Sequence, residues 1–325
     1  MNNHELIPFI ERFSNAKVLC VGDVMLDHFI YGDVNRISPE APIPVVLVSH
    51  ERSMLGGAGN VVRNLSSLGA RAVLLTVTGM DDAADLIGQK LAELPNCELH
   101  AVTDKSRKTS VKTRYISGSQ QLLRVDNEST HAIEDGILAE LMRRFEKLVL
   151  ACDVVVLSDY AKGVLKDNRA ERFIAAAGKP VLVDPKGRDF GRYRGAALIK
   201  PNLHELAEAT NLPVSTDVAV ETAARSVIHQ NQIGAVLVTR GALGMMLVRP
   251  AAEPVVLRAV AREIFDVSGA GDTVAAAFAA SVAVGMPMED AMRVANAAAG
   301  LVVAKVGTAT ANREQLLAEL TQSHS

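Results

Sequence analysis

The sequence predicts an α/β fold, a doubly wound and mostly parallel sheet flanked by helices with a small β-sheet lid, on three observations. Short apolar runs rich in Val and Leu alternate with amphipathic stretches, as at residues 72–78 followed by 81–94. That is the pattern of βα units. Apolar runs end in polar residues at Ser158-Asp-Tyr-Ala-Lys162, Asp184-Pro-Lys186-Gly-Arg188, Lys200-Pro-Asn202 and Thr239-Arg240-Gly. In a doubly wound sheet such ends share one ligand-binding edge. Two more strand pairs carry prolines or a single wet face, which suits a flap better than a central position.

Taken in order, residues 17–23 (Lys-Val-Leu-Cys-Val-Gly-Asp) read as a buried parallel strand that leaves Asp23 and Asp27 at its carboxyl end. There Asp27 has two readings, an acceptor for sugar hydroxyls or a turn residue. Two strands within 28–50 flank a proline-rich loop, and 108–126 alternates around Gly118-Ser119 like a hairpin. Together they make the lid, set at about 28–50 and 98–127 within a single domain of residues 1–325. A glycine cluster at 55–59 opens an amphipathic helix ending on Gly69. Neither Gly57-Ala-Gly59 nor Gly269-Ala-Gly271 supplies the third glycine of a dinucleotide fingerprint. Beyond the lid, strands are expected at 153–158, 180–184, 197–200, 235–239 and 244–248. Helices are expected at 132–150, 167–177, 203–210, 219–230, 289–304 and 313–320.

At 325 residues and 49% hydrophobic content the chain can bury a large core. A net charge of −3 argues against a nucleic-acid partner, so any anion site must be local. Cys20, Cys97 and Cys152 are far apart and form no Cys-x-x-Cys, which fits a reducing cytoplasm. No basic leader opens the chain, and the longest apolar run, 273–288, is shorter than the roughly 20 residues a membrane span needs. No membrane contact is expected.

The stretch Asp266-Val-Ser-Gly-Ala-Gly-Asp272 precedes small apolar residues of high helix propensity. A helix N-terminus attracts anions, and bare glycines let a phosphate approach the backbone. Asp272, one turn in, is placed to take a proton from a hydroxyl attacking that phosphate. The same pattern also describes a plain glycine turn with a first-turn carboxylate. Asn202-x-x-Glu205 likewise reads either as a capping box or as a hydrated Mg²⁺ site. The P-loop and protein-kinase motifs are missing.

Together, Gly56-Gly-Ala-Gly-Asn60, Asn202-x-x-Glu205 and Asp266-x-x-Gly-Ala-Gly-Asp272 resemble the ribokinase, or PfkB, family of carbohydrate kinases. The segments Arg36-Ile-Ser-Pro-Glu-Ala-Pro-Ile-Pro, Leu157-Ser-Asp-Tyr-Ala-Lys-Gly, Asp184-Pro-Lys-Gly-Arg-Asp-Phe and Asn296-Ala-Ala-Ala-Gly resemble its heptose 7-phosphate kinases. The resemblance implies a ribokinase-like fold, ATP and Mg²⁺, and a sugar phosphate phosphorylated at O1 for the lipopolysaccharide inner core. It implies Asp272 as base, with Gly269, Ala270 and Gly271 as anion hole. Asp27, Gly57 and Asn60 would hold sugar hydroxyls. Asn202 and Glu205 would organise Mg²⁺, Glu205 through water, while Thr239, Gly241, Gly244 and Asn296 surround the nucleotide. Asp266 and Ser268 match positions near a K⁺ site. For the acceptor's phosphate the expected cations are Arg124, Lys162 and Lys186, with Arg36 and Arg114 behind them. The resemblance further implies a homodimer through the lid strands, and the chain's end soon after the kinase region implies a stand-alone kinase form.

Overall fold

The computed structural model describes residues 3–260, 266–305 and 309–322. Helix α1 (Asn3–Glu11) leads to β1 (Lys17–Gly22), and a single residue, Asp23, separates β1 from β2 (Val24–Ile37). β2 turns back as β3 (Pro44–Gly57), which runs into α2 (Ala58–Ser67). Then follow β4 (Arg71–Thr78), α3 (Asp82–Ala92), β5 (Cys97–Thr103), β6 (Ser110–Ser117), β7 (Gln120–Asn127), α4 (Asp135–Leu148) and β8 (Val154–Ser158). α5 (Arg169–Ala177), β9 (Val181–Asp184), β10 (Leu198–Ile199), α6 (Leu203–Thr210), α7 (Asp217–Asn231) and β11 (Val236–Thr239) continue the alternation. β12 (Met245–Val248), β13 (Val255–Leu257), α8 (Ala270–Ala283), α9 (Met288–Val303) and α10 (Arg313–Gln322) complete it.

Among the described residues the main sheet has the order β13-β12-β11-β10-β9-β8-β1-β4-β5. It is parallel from β11 to β5, with β12 and β13 antiparallel at one edge. β1 shows why it sits near the centre. Val18 and Cys20 face one apolar layer and Leu19 and Val21 the other, all fully buried, as a strand covered on both faces requires. Helices α1, α2, α3, α8, α9 and α10 supply the first layer and α4, α5, α6 and α7 the second. No helix of the described residues is long and apolar enough to cross a membrane.

The lid is a separate sheet of order β3-β2-β6-β7. Its boundaries differ from the sequence expectation in two ways. β2 begins at Val24 and β3 runs on to Gly57, so the lid grows straight out of β1 and ends at α2. Residues 98–103 belong to β5, which pairs with β4 in the main sheet. Its alternation of Glu98 and His100 with Leu99 and Ala101 is that of an edge strand with one wet face, the same pattern a lid strand shows. Asp27 accordingly lies within lid strand β2 and not at the end of β1.

Candidate active site

α8 starts on Gly269, which caps it at φ 78, a left-handed conformation that glycine adopts without strain. Ala270 N–H turns back onto Val267 O at 3.2 Å, and Ala270 and Gly271 line the cavity at the helix tip. Asp272, only 4% exposed, points the other way from the solvent. Asn60 Nδ2 donates to its Oδ2 at 2.7 Å and the Tyr160 hydroxyl to its Oδ1 at 2.6 Å. Next along α8, Thr273 Oγ1 donates to Asn64 Oδ1 at 2.8 Å, while Asn64 Nδ2 donates to Asn60 O at 2.8 Å. α2 and α8 are thus stitched through the residues that orient the carboxylate. Burial, together with the field of Asp184, pushes the Asp272 carboxyl up to about 6, although Tyr160 and Asn60 favour its charged form. That places a base near working pH.

Asn60 reaches this position because Gly57 lets β3 pass directly into α2. Gly57 has φ 57, and a Cβ there would sit 2.4 Å from Asp23 O. On the opposite side, Tyr160 is held by Asp23. The Asp23 carboxylate, 2% exposed, accepts the backbone N–H groups of Tyr160 at 2.9 Å, Lys162 at 3.0 Å and Val164 at 3.1 Å. Between them Ala161 adopts φ 57, which costs about 1–2 kcal/mol for a residue with a side chain. Burial and the field of Asp272 push the Tyr160 hydroxyl well above its ordinary value, so it stays a donor.

A cavity of about 610 Å³ adjoins the α8 tip. It is lined by Thr239, Gly241, Gly244 and Asn296, the residues expected around a nucleotide, and by apolar Met245, Val260 and Ala299. Asn202 and Glu205 also line it and form a capping box for α6: Asn202 Oδ1 accepts Glu205 N–H at 2.8 Å and Glu205 Oε2 accepts Asn202 N–H at 2.9 Å. Glu205 Oε1 is left to receive Lys186 Nζ at 2.9 Å. Lys186, expected to hold the acceptor's phosphate, therefore pairs with Glu205 and lines this cavity. Lys200 Nζ pairs with Asp184 at 2.9 Å and lies 3.4 Å from where a Cβ on Gly271 would be. Burial pulls Lys200 down, but Asp184 and the carboxylates of Glu205 and Asp272 outweigh it and raise it, so the α8 tip faces a full positive charge.

Four cations, among them Arg114, Arg124 and Lys162, gather on the lid strands and the loop after β8. Arg114 Nη1 meets Asp27 Oδ1 at 2.6 Å, its guanidinium 5.1 Å over the Phe29 ring. Lys162 Nζ meets Glu128 Oε1 at 2.6 Å, Lys112 Nζ meets Asp126 Oδ2 at 3.2 Å, and the half-exposed Arg124 holds Asp126 Oδ1 at 2.9 Å. Arg36 pairs in register with Val45 near the distal end of the lid, nine residues beyond Asp27 along β2. For the expected K⁺ site, Asp266 Oδ1 accepts Ser268 N–H at 2.8 Å. Among the described residues no group of three or more His, Cys, Asp or Glu could hold a metal ion.

A model of the pfkB family carbohydrate kinases matches residues 15–315. This chain belongs to the pfkB family of carbohydrate kinases. It is 52% identical over 309 residues to Bifunctional protein HldE of Caulobacter sp. (strain K31), covering 94% of this chain and 63% of that protein. With Bifunctional protein HldE of Rhodospirillum rubrum it shares 48% over 320 residues, 98% of this chain and 64% of that one. The chain thus spans just under two thirds of the curated relatives it matches, and those relatives are bifunctional, so the expected stand-alone form has no support. The fold is similar to the Arabidopsis thaliana ribokinase complexed with ribose and ATP (TM-score 0.73, 20% identity, 95% of this chain and 99% of that one). It is likewise similar to Escherichia coli phosphofructokinase-2 in complex with potassium (TM-score 0.78, 20% identity, 94% and 99%). The architecture is ribokinase-like.

Sequence reading set Asp23, Tyr160, Asp184 and Lys200 at or next to strand ends on the ligand edge but gave none of them a role in the site. Each stands at a strand end, which was the available signal. Only the pairing of β1 with β8, and of β9 with β10, brings them onto Asp272 and one another.

Proposed function

We propose that this chain transfers the γ-phosphoryl group of ATP to O1 of D-glycero-β-D-manno-heptose 7-phosphate, giving the 1,7-bisphosphate for lipopolysaccharide inner-core synthesis. The observation that carries the reading is Asp272, buried between Tyr160 and Asn60 at the tip of α8 and next to a cavity of nucleotide size. Asp272 takes the proton of the acceptor hydroxyl as it attacks, with Asn60 and Tyr160 fixing the carboxylate's plane. The α8 N-terminus, Gly271 and Lys200 face the charge that develops on the transferred group, where fixed donors in a dry site act most strongly. Thr239, Gly241, Gly244 and Asn296 surround the nucleotide. Two oxygen donors in that cavity, Asp184 and Glu205, fit Mg²⁺, which binds through one or two carboxylates, waters and substrate phosphates. When bound, Mg²⁺ would supply charge neutralisation to the phosphates. Among the described residues Asp266 and Ser268 assemble no comparable oxygen set, and no step is assigned to K⁺.

The acceptor rests on the segments shared with heptose 7-phosphate kinases and on the cations beside Asp27. Phosphorus NMR of mixtures of ATP with candidate sugars tests it. The heptose 7-phosphate should give ADP and an anomeric phosphate signal. Turnover of fructose 1-phosphate in its place, with none of the heptose, would move the assignment to a ketose phosphate. A cytoplasmic location suits a reaction that consumes ATP and a chain whose Cys20, Cys97 and Cys152 form no disulfide.

A homodimer through the lids follows from the residues they expose: Leu47 (70%) and Val48 (48%) on β3, Leu123 (56%) and Val125 (46%) on β7. These lie on the two edge strands of the lid sheet, and exposed apolar side chains there suit an interface. Light scattering at micromolar concentration should give twice the chain mass, and Leu47→Glu should lower it toward one. A monomeric parent protein would end this part of the reading.

A further inference from the structure

The loop after β8, with Tyr160, and the loop after β9, with Lys186, border the same cavity from neighbouring strands. Both are tied to one buried cluster outside the reacting groups. Asp159, 2% exposed, engages it with both carboxylate oxygens. Its Oδ1 accepts the Ala161 N–H at 2.8 Å, and its Oδ2 accepts the Tyr193 hydroxyl at 2.8 Å and Arg192 Nη2 at 2.7 Å. Tyr193 is fully buried, and burial with the field of Asp159 pushes its hydroxyl well above the ordinary value, so it keeps its proton. The same oxygen accepts the Lys186 N–H at 3.0 Å, while Arg192 Nη2 donates to Lys186 O. The Lys186 backbone is therefore held at its amide and at its carbonyl.

Arg192 stands at the centre of this cluster through a single nitrogen. Nη2 meets Asp159, Tyr193 at 2.6 Å and Lys186 O, the guanidinium lies 4.9 Å over the Tyr193 ring, and Nε is buried with no hydrogen-bond partner among the described residues. The Tyr160 loop in turn hangs from two carboxylates of like charge. Asp23 takes the N–H groups of Tyr160, Lys162 and Val164, and Asp159 takes that of Ala161. Burial and the field of Asp159 push Asp23 up to about 6, and Arg192 is the cation paired with Asp159. Without it Asp159 is a buried, unpaired charge, which takes up a proton or moves.

We infer that Arg192 is a positioning residue for phosphoryl transfer, fixing the Tyr160 loop through Asp159 and the Lys186 loop through its carbonyl, so that base and donor cavity keep one register. The inference rests on the kinase reading for the reaction, but not for the joint between the loops. Tyr160 ends on Asp272 and Lys186 on Glu205, so a slip at Arg192 reaches both sides of the site.

Arg192→Met should lower kcat about tenfold, within the scale of misplaced reacting groups, and raise the KM for ATP severalfold. Arg192→Lys should restore most of both, since an ammonium offers three donors at the same point. The acid limb of kcat should move to higher pH in Arg192→Met, because the Tyr160 bond favours the charged form of Asp272. Asp184 on β9, Lys200 after β10, Asn60 and Arg63 on α2 and Cys20 on β1 also act on or with Asp272. The control is therefore a Tyr160→Phe background, in which Arg192→Met should add no further shift; a shift that persists there overturns the route through Tyr160. A second readout needs no turnover. The chain has four tyrosines, so NMR of protein carbon-13 labelled at tyrosine Cζ isolates Tyr160, assigned with Tyr160→Phe. Its signal should titrate near pH 6, and the part of that change abolished by Asp272→Asn should also be absent in Arg192→Met. A Tyr160 that still follows Asp272 in Arg192→Met, or a variant with lowered Tm but unmoved acid limb and KM, overturns the positioning role. A Tyr160 uncoupled in Arg192→Met, in a protein that phosphorylates no sugar, keeps the joint and removes the kinase reading.

Discussion

Asp272→Asn is expected to fold, to bind ATP and to lose about 10²- to 10⁴-fold in turnover, the usual scale for removing a general base. The substitution is nearly isosteric, and Asn64 still ties Thr273 of α8 to α2. What disappears is the proton acceptor, since an amide oxygen is far less basic than a carboxylate. The native enzyme carries a second signature of the same group. With the Asp272 carboxyl pushed up to about 6 by burial, the group is ionised and able to accept a proton above that pH and protonated below it. Turnover at saturating substrate should therefore fall as pH drops through about 6 and level off above about 7. A profile flat from pH 5 to 8, or near-normal turnover in Asp272→Asn, would leave the site without its base.

Asp23→Ala is expected to be the most damaging substitution outside the reacting groups. It strands the N–H groups of Tyr160, Lys162 and Val164, all now bonded to one carboxylate. An unsatisfied buried donor costs about 1–3 kcal/mol, so losing the shared acceptor should cost roughly 3 kcal/mol or more. For a domain of this size that is a fall in Tm of about 5 °C or more. The bonds on either side of Ala161 are then lost, with its own N–H still on Asp159 Oδ1 at 2.8 Å, and Tyr160 is no longer held against Asp272, so turnover should fall along with stability. Asp23→Asn, which keeps one acceptor oxygen, should lie between the two. Thermal unfolding and kcat measured together decide it: a variant with native Tm and native turnover would show that Asp23 does not hold the loop.

The contrast between Asp272 and Asp23 shows what could be read without coordinates. Asp272 lies within a local pattern, glycines and an acid at the start of an alanine-rich helix, and its place follows from a few consecutive residues. The same holds for Asn202 and Glu205, whose spacing alone specifies the cap. Asp23 acts on residues 137 to 141 positions away, and its role exists only because β1 and β8 lie side by side with Gly22 opposite Ser158. Lys186 shows the opposite limit. A lysine following a strand was legible as part of the ligand edge, but its turn toward the donor cavity depends on Glu205, on an element the sequence cannot orient. The lid was recognisable from its prolines and its hairpin, while its root was not. β5 carries a lid-like alternation for the different reason that it is the exposed edge of the main sheet.

The α6 cap has a wider consequence. Asn202 and Glu205 start the helix and also border the cavity at the α8 tip, so on the proposed reading architecture and chemistry share the same two residues. If Glu205 handles metal and nucleotide as proposed, neither can be adjusted there without loosening the first turn of α6. On that reading, variation in donor preference falls to the rim of the cavity, at side chains such as Met245, Ala259 and Val260, where a change of shape leaves the scaffold intact.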